Sequence, residues 1–209
     1  MLQVTDLACM RGDRLLFQGV SIDLQPGQML RLGGPNGIGK TSMLRILCAL
    51  VHPEHGGITW KGLDILKDRE NFHADVLYLG HAANLSELLT PLENLALMAR
   101  IACHEASDDD TCVQALVRIG LGERLDLPCK VLSAGQRRRV GLARLFLATD
   151  KPVWILDEPF SALDVHAVGD LAETLDEHCD RGGLVIYTTH QEVAFRTPVT
   201  TLDLAEFAP

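Results

Sequence analysis

"GPNGIGKT", Gly34 to Thr41, decides how the rest of the 209-residue chain is read. Glycines at 34, 37 and 39 let the backbone curl until its N–H groups converge on one point, and Lys40 and Thr41 follow at once. The pattern GxxxxGK[ST] is met in full, after the apolar run "MLRLGG" and before "TSMLRILCALV", so strand, loop and helix are expected in that order. In that setting the loop (Gly34, Pro35, Asn36, Gly37, Ile38, Gly39), through the N–H groups of every member but Pro35, and Ser42 just beyond Thr41 surround nucleotide phosphates. Lys40 reaches the β and γ phosphates, and the Thr41 hydroxyl ligates Mg²⁺. ATP and Mg²⁺ are the expected cofactors.

Such a loop needs a second metal anchor, and "VWILDE" supplies it. Four apolar residues form a buried strand that delivers Asp157 to the metal, with Glu158 beside it. Two adjacent carboxylates at a strand end can divide the work: Asp157 faces the cation, and Glu158 orients and deprotonates the water that attacks the γ-phosphate.

Outward from these two motifs, residues 2 to 35 read as short strands broken by turns, Pro26-Gly27 being the clearest. The segment from Thr41 to Val51 suits a helix buried over most of its circumference. "HPEHGGITWKGLDI" returns to turn and strand signals, and "DVLYLG" is a compact apolar strand. Between about Leu85 and Leu127 the pattern turns helical, with "EASDDD" placed to start a helix at its positive end. "PVWILD" and "LVIYTTH", separated by a helical stretch near "DVHAVGDLAETLDEHC", have the length and apolarity of strands in a buried parallel sheet. Little of the chain follows the second of them.

The composition narrows the function classes. With 19 basic and 28 acidic residues the net charge is −9, whereas binding along a phosphate backbone needs a basic stripe, so no nucleic acid is expected. The six cysteines (Cys9, Cys48, Cys103, Cys112, Cys129, Cys179) include no CxxC pair and read as free thiols of a reducing compartment. No uninterrupted apolar run reaches about 18 residues and no leader pattern opens the chain, which reads as soluble and unexported. In "HPEH", Pro53 and the following Gly-Gly argue for a turn rather than a pair of metal-ligating imidazoles at His52 and His55.

One further stretch, "LSAGQRRRV", sets three arginines behind a small-residue turn. "GPNGIGKT", "LSAGQ", "WILDEP", "SALD" and "TTH" stand in the order and spacing of an ABC-type ATPase subunit, and the resemblance covers essentially the whole chain. It implies an α/β P-loop NTPase of ABC type, with a mostly parallel core sheet, an N-terminal antiparallel β subdomain and a helical subdomain. One domain over 1–209 is implied, with core and β subdomain at about 1–84 and 140–209 and the helical part at about 85–139. It also implies that Ser133, Ala134, Gly135 and Gln136 form a signature loop that senses the γ-phosphate held by a partner subunit. A loop at a helix N-terminus suits that task, because unpaired N–H groups and the helix dipole attract anions. Arg137, Arg138 and Arg139 then lie inside that helix and are read as structural. By the same resemblance Asp164 crosses the interface of a head-to-tail homodimer and His190 contacts the γ-phosphate.

Three positions depart from the family pattern. His81 stands where many relatives carry a glutamine and is expected to reach Mg²⁺ through water or to act as a coupling contact. Arg11 stands where an aromatic stacks on adenine and can stack through its planar guanidinium. Ala134 replaces a glycine. "LGHAANL", "LTPLENL" and "TTHQ", together with the short chain, resemble the ATP-binding subunit of the cytochrome c maturation system of Gram-negative bacteria, the haem-exporter family. That likeness implies membrane permease subunits as partners, work tied to haem export or to release of a haem-loaded periplasmic chaperone, and a place on the cytoplasmic side of the inner membrane. The same motifs would serve the ATPase of another small-solute importer or exporter, or less readily a DNA- or ribosome-associated ABC protein.

Overall fold

The computed structural model describes residues 1–82, 84–102 and 108–209, so Cys103 and the first three residues of "EASDDD" lie outside the described residues. Two sheets carry the strands. One is antiparallel, in the order β2-β1-β4-β5, built from β1 (Leu2–Arg11), β2 (Arg14–Leu24), β4 (His55–Trp60) and β5 (Leu63–Asp64). The other runs β6-β7-β8-β3-β9 and its pairings are parallel: β3 (Met29–Gly33), β6 (Val76–Leu79), β7 (Val153–Leu156), β8 (Leu184–Thr188) and β9 (Val199–Asp203).

Alternation along β7 and β8 divides the interior. Val153, Ile155, Leu184 and Ile186 face one core, shared with the antiparallel sheet and with helix α1 (Lys40–Leu47). Trp154, Leu156, Val185 and Tyr187 face the other, against Leu171 and Leu175 of α7 (Val165–Asp180). Both strands are buried on both faces, which is why they read as unbroken apolar runs. Full burial of one such Leu or Ile side chain contributes about 1.5–3 kcal/mol. A third cluster joins Leu95 and Ala99 of α3 (Pro91–Ala102) to Cys112 and Leu116 of α4 (Asp109–Arg118) and Val140 of α5 (Ala134–Leu142), with Phe146 and Leu147 of the short α6 (Arg144–Leu147) packed against it. The acidic start of α4 behaves as expected: Asp108 caps it by accepting the Thr111 amide.

Three elements differ from the expected outline. Helix α1 stops at Leu47 rather than continuing to Val51, because Ala49 adopts a left-handed backbone that ends the repeat. The helix α2 (Arg69–Asp75) is too short and polar to register as periodic; it is fixed by one buried residue, Phe72, and by Arg69 donating to the Ala49 carbonyl. After "LVIYTTH", where no element is assigned from sequence, β9 pairs with β3 and a 3-10 turn at Leu204–Phe207 buries Leu204 in the first core.

His178 of α7 is buried with its ring stacked on Trp154, centroids 3.7 Å apart and 10° from parallel. Burial pulls its pKa down to about 4, against a hydrogen bond to the backbone of Pro152, so the native ring is neutral. The unfolded chain takes up the proton near pH 6.5 and the folded one only near 4. Stability from this site is therefore complete above about 6.5 and is lost as pH falls through that window, by about 3 kcal/mol in all. Chemical denaturation between pH 7 and 4 is expected to show this slope, and His178→Gln to flatten it. An unchanged slope in the variant would assign the acid sensitivity elsewhere.

Candidate functional site

The site is assembled where β3, β7 and β8 end side by side. Gly33 closes β3, the loop 34–39 follows, and Gly39 caps α1 with φ 118°. A side chain at Gly39 would be strained in that conformation and would stand 3.2 Å from the Phe17 ring, so glycine is required there. Lys40 folds back across the loop and donates through Nζ to the carbonyls of Gly34 (2.7 Å) and Pro35 (3.2 Å). Its ammonium is held at the mouth of the turn, where an anion would meet it.

Sheet register brings the carboxylates to the same place. Leu156 pairs with Leu79 on one side and Tyr187 on the other, so the next residues, Asp157 and Thr188, are neighbours. The Thr188 hydroxyl donates to Asp157 Oδ1 at 2.8 Å and accepts the Glu158 amide at 2.9 Å. Asp157 Oδ2 accepts the Thr41 hydroxyl at 2.9 Å, joining two motifs 116 residues apart. Glu158 has a left-handed backbone, φ 51°, and His190 Nε2 lies 3.4 Å from its Oε1. Thr188 is not among the residues singled out from sequence, although the threonine that opens "TTH" is the available signal.

A cleft of about 810 Å³ opens over these groups. Asn36, Gly37, Gly39, Lys40, Thr41 and Ser42 form its floor, with Asp157, Glu158 and His190 along one wall. Arg11 and His81 line it as well, so two of the three departures from the family pattern face the same space. Arg14, across the hairpin turn from Arg11, joins them and was missed because nothing local distinguishes it from a solvated arginine. Arg11, Arg14 and Lys40 make the cleft locally basic in a chain of net charge −9. Thr41 and Asp157 present a hydroxyl and a carboxylate side by side, an all-oxygen donor set of the kind a small hard dication takes.

Ser133, Ala134, Gly135, Gln136 and Asp164 are not brought into this cleft. Ser133 caps α5 in a reciprocal box with Gln136: Oγ accepts the Gln136 amide at 3.1 Å and Oε1 of Gln136 accepts the Ser133 amide at 2.9 Å. Gly135 packs so closely on the 161–163 turn that an added Cβ would lie 2.5 Å from the Ala162 carbonyl oxygen. Ala134 is exposed and its φ is not positive, so its extra methyl imposes no backbone strain there. Asp164 accepts the Ala167 amide at 2.9 Å, capping α7. That amide, followed by Arg139 paired with its other oxygen, holds its carboxyl below the usual range.

The three arginines go to different partners. Arg137 donates to the Leu132 carbonyl at 2.8 Å, Arg139 pairs with Asp164, and Arg138 is buried behind the carboxylate wall. None of the three lines the cleft.

Comparison with known proteins adds family to geometry. Residues 17–161 match the family model described as ABC transporter. The chain is 62% identical to the cytochrome c biogenesis ATP-binding export protein CcmA of Aromatoleum aromaticum, over 100% of this chain and 97% of that protein. Among solved structures it resembles a putative ABC transporter ATP-binding protein from Pyrococcus furiosus, with TM-score 0.83, 21% identity, and coverage of 100% of this chain and 99% of that one. It also resembles the dimeric structure of MJ0796, a bacterial ABC transporter cassette, with TM-score 0.80, 25% identity, and coverage of 97% and 94%.

Proposed function

The chain belongs to the ABC transporter ATP-binding family, among the cytochrome c biogenesis ATP-binding export proteins, and from that premise we propose that this ABC-type ATPase powers haem export or release of a haem-loaded periplasmic chaperone. The observation that carries the chemistry is the convergence of Lys40, Thr41, Asp157 and Glu158 on one cleft. The likeness to named cytochrome c biogenesis proteins over the whole chain supports the cargo.

Each residue then has a task. Amides of Gly34 to Gly39 (Gly34, Asn36, Gly37, Ile38, Gly39, with Pro35 shaping the turn) and of the helix start through Ser42 cradle the phosphates, and Lys40 neutralises the β and γ groups. Thr41 and Asp157 would hold Mg²⁺, with His81 serving it through water or acting as a coupling contact; when bound, the ion would spread the phosphate charge. Glu158 orients a water and takes its proton as the water oxygen bonds to the γ-phosphorus and the bond to the ADP oxygen breaks. His190, beside Glu158, contacts the γ-phosphate, and Arg11 stacks on adenine. Ser133, Ala134, Gly135 and Gln136, with Asp164, close over the nucleotide of a second copy, because none of them reaches its own cleft. A head-to-tail homodimer follows.

No described helix is long and apolar enough to cross a membrane, so translocation needs permease subunits. We place the chain on the cytoplasmic side of the inner membrane, with the helical part, about 85–139, passing motion to those subunits. Leu88, Leu97 and Ile101 are exposed in that part.

The test is affinity capture of the Glu158→Gln protein with ATP from mildly solubilised membranes, with the co-purifying chains identified by mass spectrometry. Recovery of cytochrome c maturation permeases and their haem chaperone is expected. An unrelated permease would move the cargo elsewhere, and ribosomal or DNA-bound partners would overturn the transport reading.

A further inference from the structure

Arg138 sits in the second turn of α5, buried, with no carboxylate among its hydrogen-bond acceptors in the described residues. All four of those acceptors are main-chain carbonyls. One terminal nitrogen donates to Gly80 and His81, both at 2.9 Å, and the other to Asp157 (2.8 Å) and Glu158 (2.9 Å). Burial lowers its pKa, while the nearby charges of Asp157 and Glu158 favour the cation. A guanidinium is costly to bury and its planar fork is the side chain able to meet four such acceptors at once; packing alone would be served by leucine or methionine.

Two consequences follow from where the four carbonyls belong. Glu158, a non-glycine residue in left-handed conformation, has its amide fixed by Thr188 and its carbonyl fixed by Arg138, so both ends of the residue bearing the carboxylate are pinned. Gly80 and His81 open the segment that follows β6 and brings His81 into the lining of the cleft. The helix capped by Ser133 is thus tied through one side chain to two segments that supply cleft residues, 80–81 and 157–158. We propose that Arg138 is a positioning residue for turnover: it holds the Glu158 carboxylate and the His81 segment in a common geometry set by the signature helix. The proposal rests on the reading of Glu158 as the base.

The test compares Arg138→Lys and Arg138→Gln with the native chain in its membrane complex, measuring kcat, KM for MgATP, affinity for a fluorescent ATP analogue and thermal midpoint. Misplacing a catalytic carboxylate by an ångström is expected to lower kcat about 10- to 100-fold. KM and analogue affinity should stay within about threefold, since Arg138 does not line the cleft and meets His81 and Asp157 only at their main-chain carbonyls, and lysine should recover part of the rate lost with glutamine. Native kcat in Arg138→Gln would overturn the proposal. So would a parallel loss of rate, affinity and thermal midpoint in both variants, which would mark a residue that only holds the fold. Glu158→Gln, assayed beside them, separates the two readings. If Glu158→Gln turns over normally, the base assignment falls; if it is inert while Arg138→Gln is fast, only the positioning role falls.

Discussion

Lys40→Ala loses ATP binding at nucleotide concentrations that saturate the native chain. The ammonium lies across the mouth of the loop on two carbonyls, and phosphate oxygens would exchange those neutral acceptors for charged ones. Hydrogen bonds to charged groups contribute about 1.5–3 kcal/mol each, so losing two weakens affinity by roughly two to four orders of magnitude. The nucleotide-free fold should be nearly unaffected, because Lys40 is only half-buried and its partners stay within reach of water. The measurement is the thermal midpoint with and without a non-hydrolysable ATP analogue: the native chain gains a ligand-dependent shift and Lys40→Ala gains none. A shift equal to that of the native chain would remove Lys40 from the phosphate site.

Glu158→Gln keeps binding and loses turnover. The amide replaces the carboxylate with nearly the same volume and leaves a group able to bond with His190, but it cannot accept the proton of the attacking water. General-base removal costs about 10²–10⁴ in rate. With binding intact and hydrolysis stopped, ATP should hold two copies together, and size-exclusion chromatography with ATP is expected to show a dimer that disperses with ADP. A variant hydrolysing at the native rate would exclude Glu158 as the base, and a monomer in ATP would count against the head-to-tail arrangement.

What could be read before folding is what lies contiguous in the chain. "GPNGIGKT" contains its own turn, ammonium and hydroxyl, and "VWILDE" its own buried strand and carboxylates, so local pattern and chemistry coincide. The unread parts depend on register and distance. Thr188 matters because β7 and β8 pair so as to set it beside Asp157. Arg138 finds acceptors 19–20 and 57–58 positions away, and three successive arginines look alike until each is followed to its partner. The strand "VTTLD" is short and polar, half-exposed at a sheet edge, and leaves little trace of its pairing.

That last strand bears on how the protein is made. In the order β6-β7-β8-β3-β9, the strand leading into the phosphate loop lies between two partners drawn from residues 184–203. On a ribosome, β3 emerges early and must wait, without neighbours in its sheet, while some 150 residues are synthesised. Such long-range parallel pairing closes slowly, because the intervening chain must be ordered before the contacts form. A nascent or prematurely terminated chain therefore carries the glycine-rich segment without the scaffold that shapes it. Competence to hold nucleotide arrives late in synthesis, leaving truncated products unable to engage ATP or to occupy a membrane complex as idle copies.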